Sequence, residues 1–171
     1  MKVSRHTVLD GLIRAHGWTR GVELGVWQAS VFHHLLCNFS KLHLTGVDRW
    51  QPVNEYAGKD MAAAEELAKA IAERFGPRAS ILKMDTAAAA ARFADGSIDF
   101  VFIDASHDTE SVLAEIAAWR CKIAAGGALT GHDANLGTVR AALDAALPGW
   151  ELLAANCWIY PVGGTDAAAA G

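Results

Sequence analysis

Short apolar runs alternate along most of the chain with stretches whose apolar residues recur at helical spacing. The first run, residues 22–24, ends at Gly25, and the apolar residues after it stand at positions 31, 32, 35 and 36, as on one face of a helix that begins near residue 30. The same pattern predicts further strands at residues 42–47, 80–84, 98–103, 126–131, 150–153 and 157–162, and further helices at residues 4–16, 60–75, 86–94, 108–123 and 136–147.

This alternation predicts an α/β fold. Strands that are each followed by a helix form a parallel sheet with helices on both faces. The last two runs are only a few residues apart, which allows a hairpin but no crossover. The pattern therefore predicts a doubly wound, mostly parallel seven-stranded sheet with a C-terminal antiparallel hairpin.

The composition indicates a single domain over residues 1–162. The chain has 171 residues, 52% of them hydrophobic, which is enough to bury one sizeable core. Residues 163–171 are rich in glycine and alanine and are predicted to be disordered. The net charge is −4 and no block of like charge occurs, so neither nucleic acid nor a membrane surface is expected as a partner.

The cysteines and the N-terminal residues bear on the compartment. Cys37, Cys121 and Cys157 are far apart and form no CxxC pair, which favours a reducing compartment. Charged residues at positions 5, 10 and 14 interrupt any signal peptide, and no uncharged apolar run reaches transmembrane length. The sequence therefore predicts a cytoplasmic protein.

Acidic residues stand at or near the ends of five predicted parallel strands, where an open α/β sheet binds its ligands. One such acid means little, because aspartate is common in loops, but five are a pattern; they are Glu23, Asp48, Asp85, Asp104 and Asp133. Asp48 follows Glu23 by 25 residues, close to the spacing at which an acid reaches ribose hydroxyls. Asp85 could accept from the amine of adenine beside the Thr86 amide, and Trp27 or Trp50 could cover the ring.

The glycines argue against a dinucleotide. A dinucleotide site uses Gly-x-Gly-x-x-Gly, whereas here Gly25 stands without the other two and Ala29 occupies the third position. Gly25 still allows a tight turn and the close approach of a ligand, and the helix that begins near residue 30 directs its unpaired amides to the same place. The stretch predicts a nucleotide-type site without the dinucleotide motif, and an ordinary strand–turn–helix unit is the alternative.

Four segments resemble the class I S-adenosylmethionine-dependent methyltransferases. They are Val-Glu-Leu-Gly-Val-Trp-Gln-Ala-Ser at 22–30, Gly-Val-Asp-Arg-Trp at 46–50, Asp-Phe-Val-Phe-Ile-Asp-Ala-Ser-His-Asp at 99–108 and Gly-Gly-Ala-Leu-Thr-Gly-His-Asp at 126–133. The last two are similar to the "IDxxH" and "GGxxxxHD" strands of a small group related to the catechol-type and sugar O-methyltransferases. The resemblance implies a Rossmann-like fold and S-adenosylmethionine as cofactor.

The resemblance also implies roles for single residues. Glu23 and Gly25 would line the methionine part of the cofactor, Asp48 would bind the ribose and Asp85 the adenine. The complete set of cofactor-binding residues predicted in this way is Glu23, Gly25, Val26, Trp27, Asp48, Arg49, Trp50, Asp85, Thr86 and Asp104.

The residues around the reacting methyl group would be Asp104, Ser106, His107, His132 and Asp133. His107 stands where the catechol-type enzymes have a basic lysine, so it could take a proton from the acceptor, with Asp104 and His132 as further catalytic candidates. A purely structural His107, hydrogen-bonded to Asp104, is the alternative.

A metal site is implied less firmly. The metal-dependent relatives place oxygen ligands at the positions of Asp104, His132 and Asp133, and such ligands suit Mg²⁺. A histidine at position 132 favours a transition metal instead, so metal dependence stays open.

The function predicted from the sequence is methyl transfer from S-adenosylmethionine to an oxygen of a small molecule. Two alternatives remain: a cofactor-binding sensor or partner subunit without transferase activity, and a metal hydrolase that uses His107, His132, Asp104 and Asp133. The chain has little sequence for a lid beyond residues 50–60, so the acceptor pocket is shallow, open or completed by a second copy of the chain in a homo-oligomer.

Overall fold

The computed structural model describes residues 3–51 and 58–163. Its helices α1 to α5 are Arg5–His16, Ser30–Asn38, Met61–Phe75, Thr109–Trp119 and Gly137–Ala146. Its strands β1 to β7 are Arg20–Leu24, His43–Asp48, Ala79–Lys83, Ile98–Ile103, Ile123–Gly131, Glu151–Leu152 and Trp158–Pro161. Single 3₁₀ turns occupy Gly76–Arg78, Ala88–Arg92, Arg120–Lys122 and Ala154–Asn156. None of the helices in these described ranges is long and apolar enough to cross a membrane.

The strands form one sheet in the order β3-β2-β1-β4-β5-β7-β6. Strands β1 to β5 pair in parallel, and β7 pairs antiparallel with both β5 and β6. The predicted seven-stranded α/β sheet with its C-terminal hairpin is confirmed. Because β1 lies between β2 and β4, the chain leaves β1 towards one side of the sheet and later returns on the other, which opens a crevice at the carboxyl ends of these strands.

Alternate residues of the central strands face two separate helical layers. Phe100 and Phe102 of β4 pack in a cluster with residues of α1, α2 and α3, among them Phe32 of α2. Val101 packs on the opposite face in a cluster with residues of α4 and α5, among them Trp119 of α4. The strand is therefore buried on both sides, as its uninterrupted apolar sequence predicts.

Side chains fix where three of the helices begin. The carboxylates of Asp60 and Asp108 each accept a hydrogen bond of 2.9 Å from a first-turn amide, in α3 and α4 respectively. Ser4 forms a capping box with Thr7 at the start of α1. The first turn of α1 lies close to the end of β4, because the guanidinium of Arg5 donates to the Asp104 carboxylate.

Two predicted segments differ from the structure. The alanine-rich residues 86–94 form only the 3₁₀ turn Ala88–Arg92. The indole N–H of Trp119 donates at 2.8 Å to the Thr86 carbonyl, which the Ala90 amide would use in an α-helix, and the Ala90 amide bonds to Ala87 instead. Ile123, predicted to lie on the stripe of the preceding helix, is instead the first residue of β5. Part of the predicted loop at 50–60 (residues 52–57) and nearly all of the predicted disordered tail (residues 164–171) lie outside the described residues.

Non-glycine residues with left-handed backbone cluster at one edge of the sheet. Within residues 3–51 and 58–163, those with φ between +45° and +58° are Trp27, Ala29, Trp50, Asp133, Ala155 and Asn156. The first four follow the carboxyl ends of β1, β2 and β5, and the carbonyl of Asn156 accepts from the amide of Ala134 just beyond β5. The strained backbone thus surrounds the crevice.

Candidate active site

Two cavities open at the carboxyl ends of β1, β2 and β4, with Gly25, Trp27 and Asp104 in the walls of both. The first cavity is also lined by Asp48, Arg49, Gln51, Met61, Thr86 and Ser106. The second cavity has a volume of about 300 Å³ and is also lined by Arg5, Glu23, Val26, Ser30, His107 and Asp133. Several polar and charged side chains converge in the walls of both cavities, as they do in sites that orient a small polar molecule.

Gly25 is required by close packing at the end of β1. Its φ is +87°, and a Cβ atom there would lie 2.2 Å from the carbonyl oxygen of Asp104. The Gly25 amide donates to the Val47 carbonyl and the Asp104 amide to that of Leu24, each at 2.9 Å. Glycine therefore lets the ends of β1, β2 and β4 meet at one place, and the residues that follow them share one crevice.

Asp48 holds the loops on both sides of the first cavity. One carboxylate oxygen accepts from the Trp27 amide at 2.8 Å, and the other accepts from the Trp50 amide at 2.7 Å. Each oxygen of a carboxylate has a second lone pair, so these bonds leave Asp48 able to accept from a ligand as well. The same residue that was predicted to bind a ribose thus also fixes the two tryptophan backbones.

The two tryptophans predicted to cover the ligand ring have different positions. Trp27 lines both cavities. Trp50 is 5% exposed and packs in the core, where its indole N–H donates to the Trp27 carbonyl at 3.0 Å. Trp27 is therefore the better candidate for stacking on a ligand, and Trp50 supports it from behind.

At the adenine end of the predicted site, Thr86 lines the cavity, whereas Asp85 was predicted to contact the adenine. Thr86 and Arg49 line the first cavity. The carboxylate of Asp85 accepts from the Ala88 amide at 2.9 Å and lies 3.6 Å from the guanidinium of Arg49. Asp85 is exposed and already capping a turn, so Thr86 is the residue of this pair that faces the cavity directly.

Glu23 and Asp104 are acids buried in the wall of the second cavity. Burial raises the pKa of Glu23 well above its ordinary value, and the nearby Asp104 raises it further. Burial likewise raises the pKa of Asp104 to about 6, although Arg5 acts in the opposite direction. The Arg5 guanidinium lies 2.7 Å from the Asp104 carboxylate. One arginine therefore partly neutralises two buried acids.

Two histidines converge on Asp133 at the end of β5. Nε2 of His107 lies 2.9 Å from one carboxylate oxygen. Nδ1 of His132 lies 3.0 Å from the other, and this second contact is an ion-pair distance without hydrogen-bond alignment. The hydrogen bond from His107, with the neighbouring His132, holds the pKa of Asp133 well below its ordinary range. The proximity of Asp133 in turn raises the pKa of His132. His107 is thus paired with Asp133, whereas the structural alternative expected Asp104.

Asp104, His107 and Asp133 form the group that could hold a metal ion in the described part of the chain, since their ligand atoms all lie within 4.8 Å of one another. The predicted set had His132 in place of His107. His132 also lies near this group, with its Nδ1 atom 3.8 Å from Asp104 and 3.0 Å from Asp133. A donor set of two carboxylates and an imidazole suits a transition metal better than Mg²⁺.

Sequence reasoning missed two residues that the structure places at the site. Arg5 is 99 positions from its partner Asp104, and nothing in its neighbourhood distinguishes it from a surface arginine. Glu115 is 2% exposed in α4 and accepts a hydrogen bond from the hydroxyl of Thr86. A signal for Glu115 exists in the sequence, because positions 112, 115, 116 and 119 fall on one helical stripe.

Several solved structures have a similar fold. Rv0187 from MTB, in a cofactor-bound crystal structure, is 19% identical, with a TM-score of 0.70 over 95% of this chain and 82% of that one. CalS11, a TDP-rhamnose 3'-O-methyltransferase of calicheamicin biosynthesis, is 12% identical, with a TM-score of 0.69 over 93% and 79%. The O-methyltransferase TomG from Streptomyces achromogenes, in complex with S-adenosylmethionine, is 14% identical, with a TM-score of 0.60 over 94% and 80%.

At these identities the likeness establishes the fold. No curated protein sequence matches the chain. The family is established by sequence, because the family model described as "Methyltransferase domain" matches residues 21–134, which include β1 to β5 and the acids at their ends. The chain therefore belongs to this methyltransferase family, and its fold is that of the class I S-adenosylmethionine-dependent methyltransferases.

Proposed function

We propose that this chain transfers a methyl group from S-adenosylmethionine to an oxygen atom of a small molecule. The proposal rests on one observation: a cavity suited to the cofactor and a candidate general base lie on opposite sides of Asp104. On one side lies a cavity with Asp48 and Thr86 in its wall, and on the other lies the histidine–carboxylate pair His107–Asp133. A cofactor bound along the strand ends would thus bring its reactive methyl group next to a base.

The cofactor would lie across the ends of β1, β2 and β3. Asp48 would accept hydrogen bonds from the ribose hydroxyls, and Thr86 with Asp85 would border the adenine. Glu23 and the Gly25 backbone would face the methionine part. The positioning of donor and acceptor supplies much of the catalysis, since methyl transfer is an in-line displacement on an activated sulfonium.

His107 would be the general base. Asp133 accepts from Nε2–H and so fixes the imidazole with its other nitrogen as the proton acceptor. The cofactor would supply an activated methyl group for the acceptor oxygen, and its carbon–sulfur bond pair would stay with sulfur in the leaving group, the thioether S-adenosylhomocysteine. The proton of the acceptor hydroxyl goes to His107.

In an enzyme that uses a metal ion, Asp104, His107 and Asp133 would hold it, and the ion would supply a Lewis acid for the acceptor oxygen. His107 would then be a ligand instead of the base. With an imidazole among the ligands we expect weak Mg²⁺ binding and stronger binding of Mn²⁺, Ni²⁺ or Zn²⁺. A cytoplasmic location and a homo-oligomer remain predictions of the sequence.

The first experiment is calorimetry with S-adenosylhomocysteine on wild type and on Asp48→Ala. We expect binding by wild type and a loss of at least about 10- to 100-fold in the variant, which corresponds to one lost bond to a charged group at about 1.5–3 kcal/mol. Asp144→Ala, a change at an exposed acid on α5, is the control. If wild type does not bind, the chain is not a methyltransferase of this kind.

The second experiment follows S-adenosylhomocysteine production over a panel of small phenols, catechols, sugars, amines and thiols. We expect turnover on hydroxyl compounds and a fall of about 10²- to 10⁴-fold in His107→Ala, with cofactor affinity retained within a few-fold. His43→Ala, at an exposed histidine at the start of β2, should retain full activity. Turnover restricted to amines or thiols would contradict transfer to oxygen, and cofactor binding without any turnover would favour a sensor.

A further inference from the structure

An arginine and the proposed base lie on the same carboxylate. Arg5, in the first turn of α1, lines the second cavity, and its guanidinium is 2.7 Å from the carboxylate of Asp104. An imidazole nitrogen of His107 lies within 4.8 Å of an oxygen of that carboxylate. Arg5 and His107 are therefore close enough for one small molecule to contact both, with a hydrogen bond of about 3 Å at each end.

The packing of α1 places Arg5 on the acceptor side of Asp104. The helix contacts the 3₁₀ turn Ala154–Asn156 that precedes β7. The charge of Arg5 acts on His132 and on Cys157 at this end of the sheet. Of the residues that the structure describes, those in the wall of the first cavity do not include Arg5. The guanidinium thus lies with the histidines and not with the groups predicted to bind ribose and adenine.

Most hydrogen-bond donors of Arg5 are available to a ligand. In the described part of the chain its side chain makes one hydrogen bond, from Nη1 to Asp104. A guanidinium has five N–H donors in a planar fork, and 33% of this side chain is exposed where it borders the second cavity. A carboxylate matches such a fork, because its two oxygens can accept parallel hydrogen bonds.

Two side-chain contacts hold Arg5 in this place. Nε2 of His6, the next residue, lies 3.1 Å from the hydroxyl of Ser30. One helical turn further along α1, Asp10 pairs with His34 of α2 at 2.9 Å. The start of α1 is thereby fixed to α2, so the guanidinium is held in position before a ligand binds, which lowers the entropic cost of binding.

We propose that the methyl acceptor is a small hydroxy acid, whose carboxylate binds Arg5 while its hydroxyl faces His107. The inference rests on the proposed function and adds the class of acceptor. The hydroxyl oxygen bonds to the methyl carbon, the carbon–sulfur bond pair stays with sulfur, and the hydroxyl proton goes to His107. The carboxylate keeps its charge and stays on Arg5, so the product is a methyl ether. Hydroxyl and carboxyl groups on the same or neighbouring carbon atoms suit the short separation of Arg5 and His107.

Two other roles are possible for Arg5. A counter-ion for Asp104 needs only the contact of Nη1, and a guanidinium behind Asp104 would serve equally well, whereas Arg5 lines the cavity. A contact with the cofactor is the second alternative, because Glu23 in the same wall would face the cofactor. The three roles differ in which ligand is affected when Arg5 is replaced.

The test compares hydroxy acids with their primary amides as acceptors. The acids are lactate, 3-hydroxybutyrate and 2-hydroxybenzoate, and each amide keeps the shape of the carboxylate without its charge. We expect kcat/KM for an accepted acid to exceed that for its amide by about 10- to 100-fold. The difference should lie mainly in KM, since the carboxylate contact is the same before and during transfer. NMR of the product should show a methyl ether.

Variants of Arg5 assign the preference to this residue. Arg5→Ala should lose most of the preference for the acid over the amide, while S-adenosylhomocysteine affinity in calorimetry stays within about threefold of wild type. Arg5→Lys, which keeps the charge but not the planar fork, should show an intermediate preference. Arg14→Ala, at an exposed arginine of the same helix, is the matched control and should keep the wild-type preference.

Several results would overturn the inference. Two of them need no variant, and so hold even if Arg5→Ala fails to fold: turnover of neutral hydroxyl compounds but of no hydroxy acid, and equal turnover of acid and amide. A methyl ester as product would place the carboxylate, not the hydroxyl, at the reacting methyl group. An unchanged preference in Arg5→Ala would place the selectivity elsewhere, and a matching loss of S-adenosylhomocysteine affinity would place Arg5 on the cofactor. Absence of turnover on every hydroxyl compound would remove the proposed function itself, a result distinct from the others.

Discussion

The end of β1 and the middle of α4 each hold a buried glutamate, and the two differ in what faces them. Glu23 and Glu115 are both 2% exposed, and in each the Oε2 atom has no partner. Burial raises the pKa of both side chains, that of Glu115 to about 7. In isolation the two residues would be judged equivalent.

Their surroundings separate them. Glu23 lines the second cavity, close to the guanidinium of Arg5. Glu115 accepts from the hydroxyl of Thr86, and it is Thr86 that lines the first cavity. One glutamate is therefore placed to touch a ligand, and the other orients a residue that would do so. In both regions a buried acid that costs stability indicates function, through direct contact with a ligand at Glu23 and through Thr86 at Glu115.

The largest expected effect concerns stability at Glu115. An acid whose pKa rises from 4.5 to about 7 on folding binds its proton more tightly in the native state, so its contribution to stability falls as pH rises through this range. At about 1.4 kcal/mol per unit, the loss is about 3 kcal/mol by pH 8. Glu115→Gln should therefore gain most of this amount at pH 8 and little at pH 4, as measured by urea unfolding.

The control for this comparison is Glu110→Gln, at an exposed glutamate of the same helix, which should leave the pH dependence unchanged. If the stability of Glu115→Gln had the same pH profile as that of wild type, the pKa of the Glu115 carboxyl would not be raised in the native state. Glu115 would then resemble Glu23 in burial alone.

The next effect concerns affinity at Glu23. Glu23→Gln keeps the size of the side chain but removes the charge that would face an ammonium group, so S-adenosylhomocysteine should bind about 10- to 100-fold more weakly. Glu115→Gln should stay within about threefold of wild type, because Glu115 reaches the cavity only through Thr86. Calorimetry at pH 7.5 on both variants measures the contrast directly. Equal losses in the two would show that Glu23 acts on the fold and not on the ligand.

The smallest expected effect is the coupling between Thr86 and Glu115. Thr86→Val removes the hydroxyl that donates to Glu115, so a double-mutant cycle with Glu115→Gln should give a coupling free energy of about 1 kcal/mol in unfolding experiments. A parallel cycle of Thr86→Val with Glu23→Gln should be additive within about 0.5 kcal/mol. Coupling of Thr86 to Glu23 as strong as that to Glu115 would mean that the two regions are one network.

The acids at the strand ends could be predicted because topology alone places them together. A parallel sheet brings all carboxyl ends to one edge, whatever the side chains between them, so Asp48 and Asp104 were found from spacing. The contact of Arg5 with Asp104 could not be found in this way. It depends on the packing of α1 on α2, and the spacing of apolar residues does not specify which helix end meets which strand end.

Two details of the structure have causes that the sequence pattern does not contain. Trp50 has a left-handed backbone and packs in the core, and no propensity predicts a positive φ at a tryptophan. Residues 86–94 are rich in alanine and favour a helix, but the indole N–H of Trp119 occupies the Thr86 carbonyl that the Ala90 amide would use in an α-helix. In this segment a tertiary contact overrides a correct local preference.

The left-handed residues around the crevice have a consequence for protein engineering. A residue with a Cβ atom in that conformation costs on the order of 1–2 kcal/mol relative to right-handed backbone, and glycine relieves most of this. A glycine substitution at the half-buried Ala155 should therefore stabilise the chain, whereas at Ala29 the loss of a fully buried methyl group offsets the gain. Glycine in a helix or strand destabilises it. A glycine scan read only by melting temperature would trace out the edge of the sheet where function resides, with no ligand or acceptor in hand. The same scan would show how much the melting temperature rises when strained residues at this edge are replaced without regard to ligand binding.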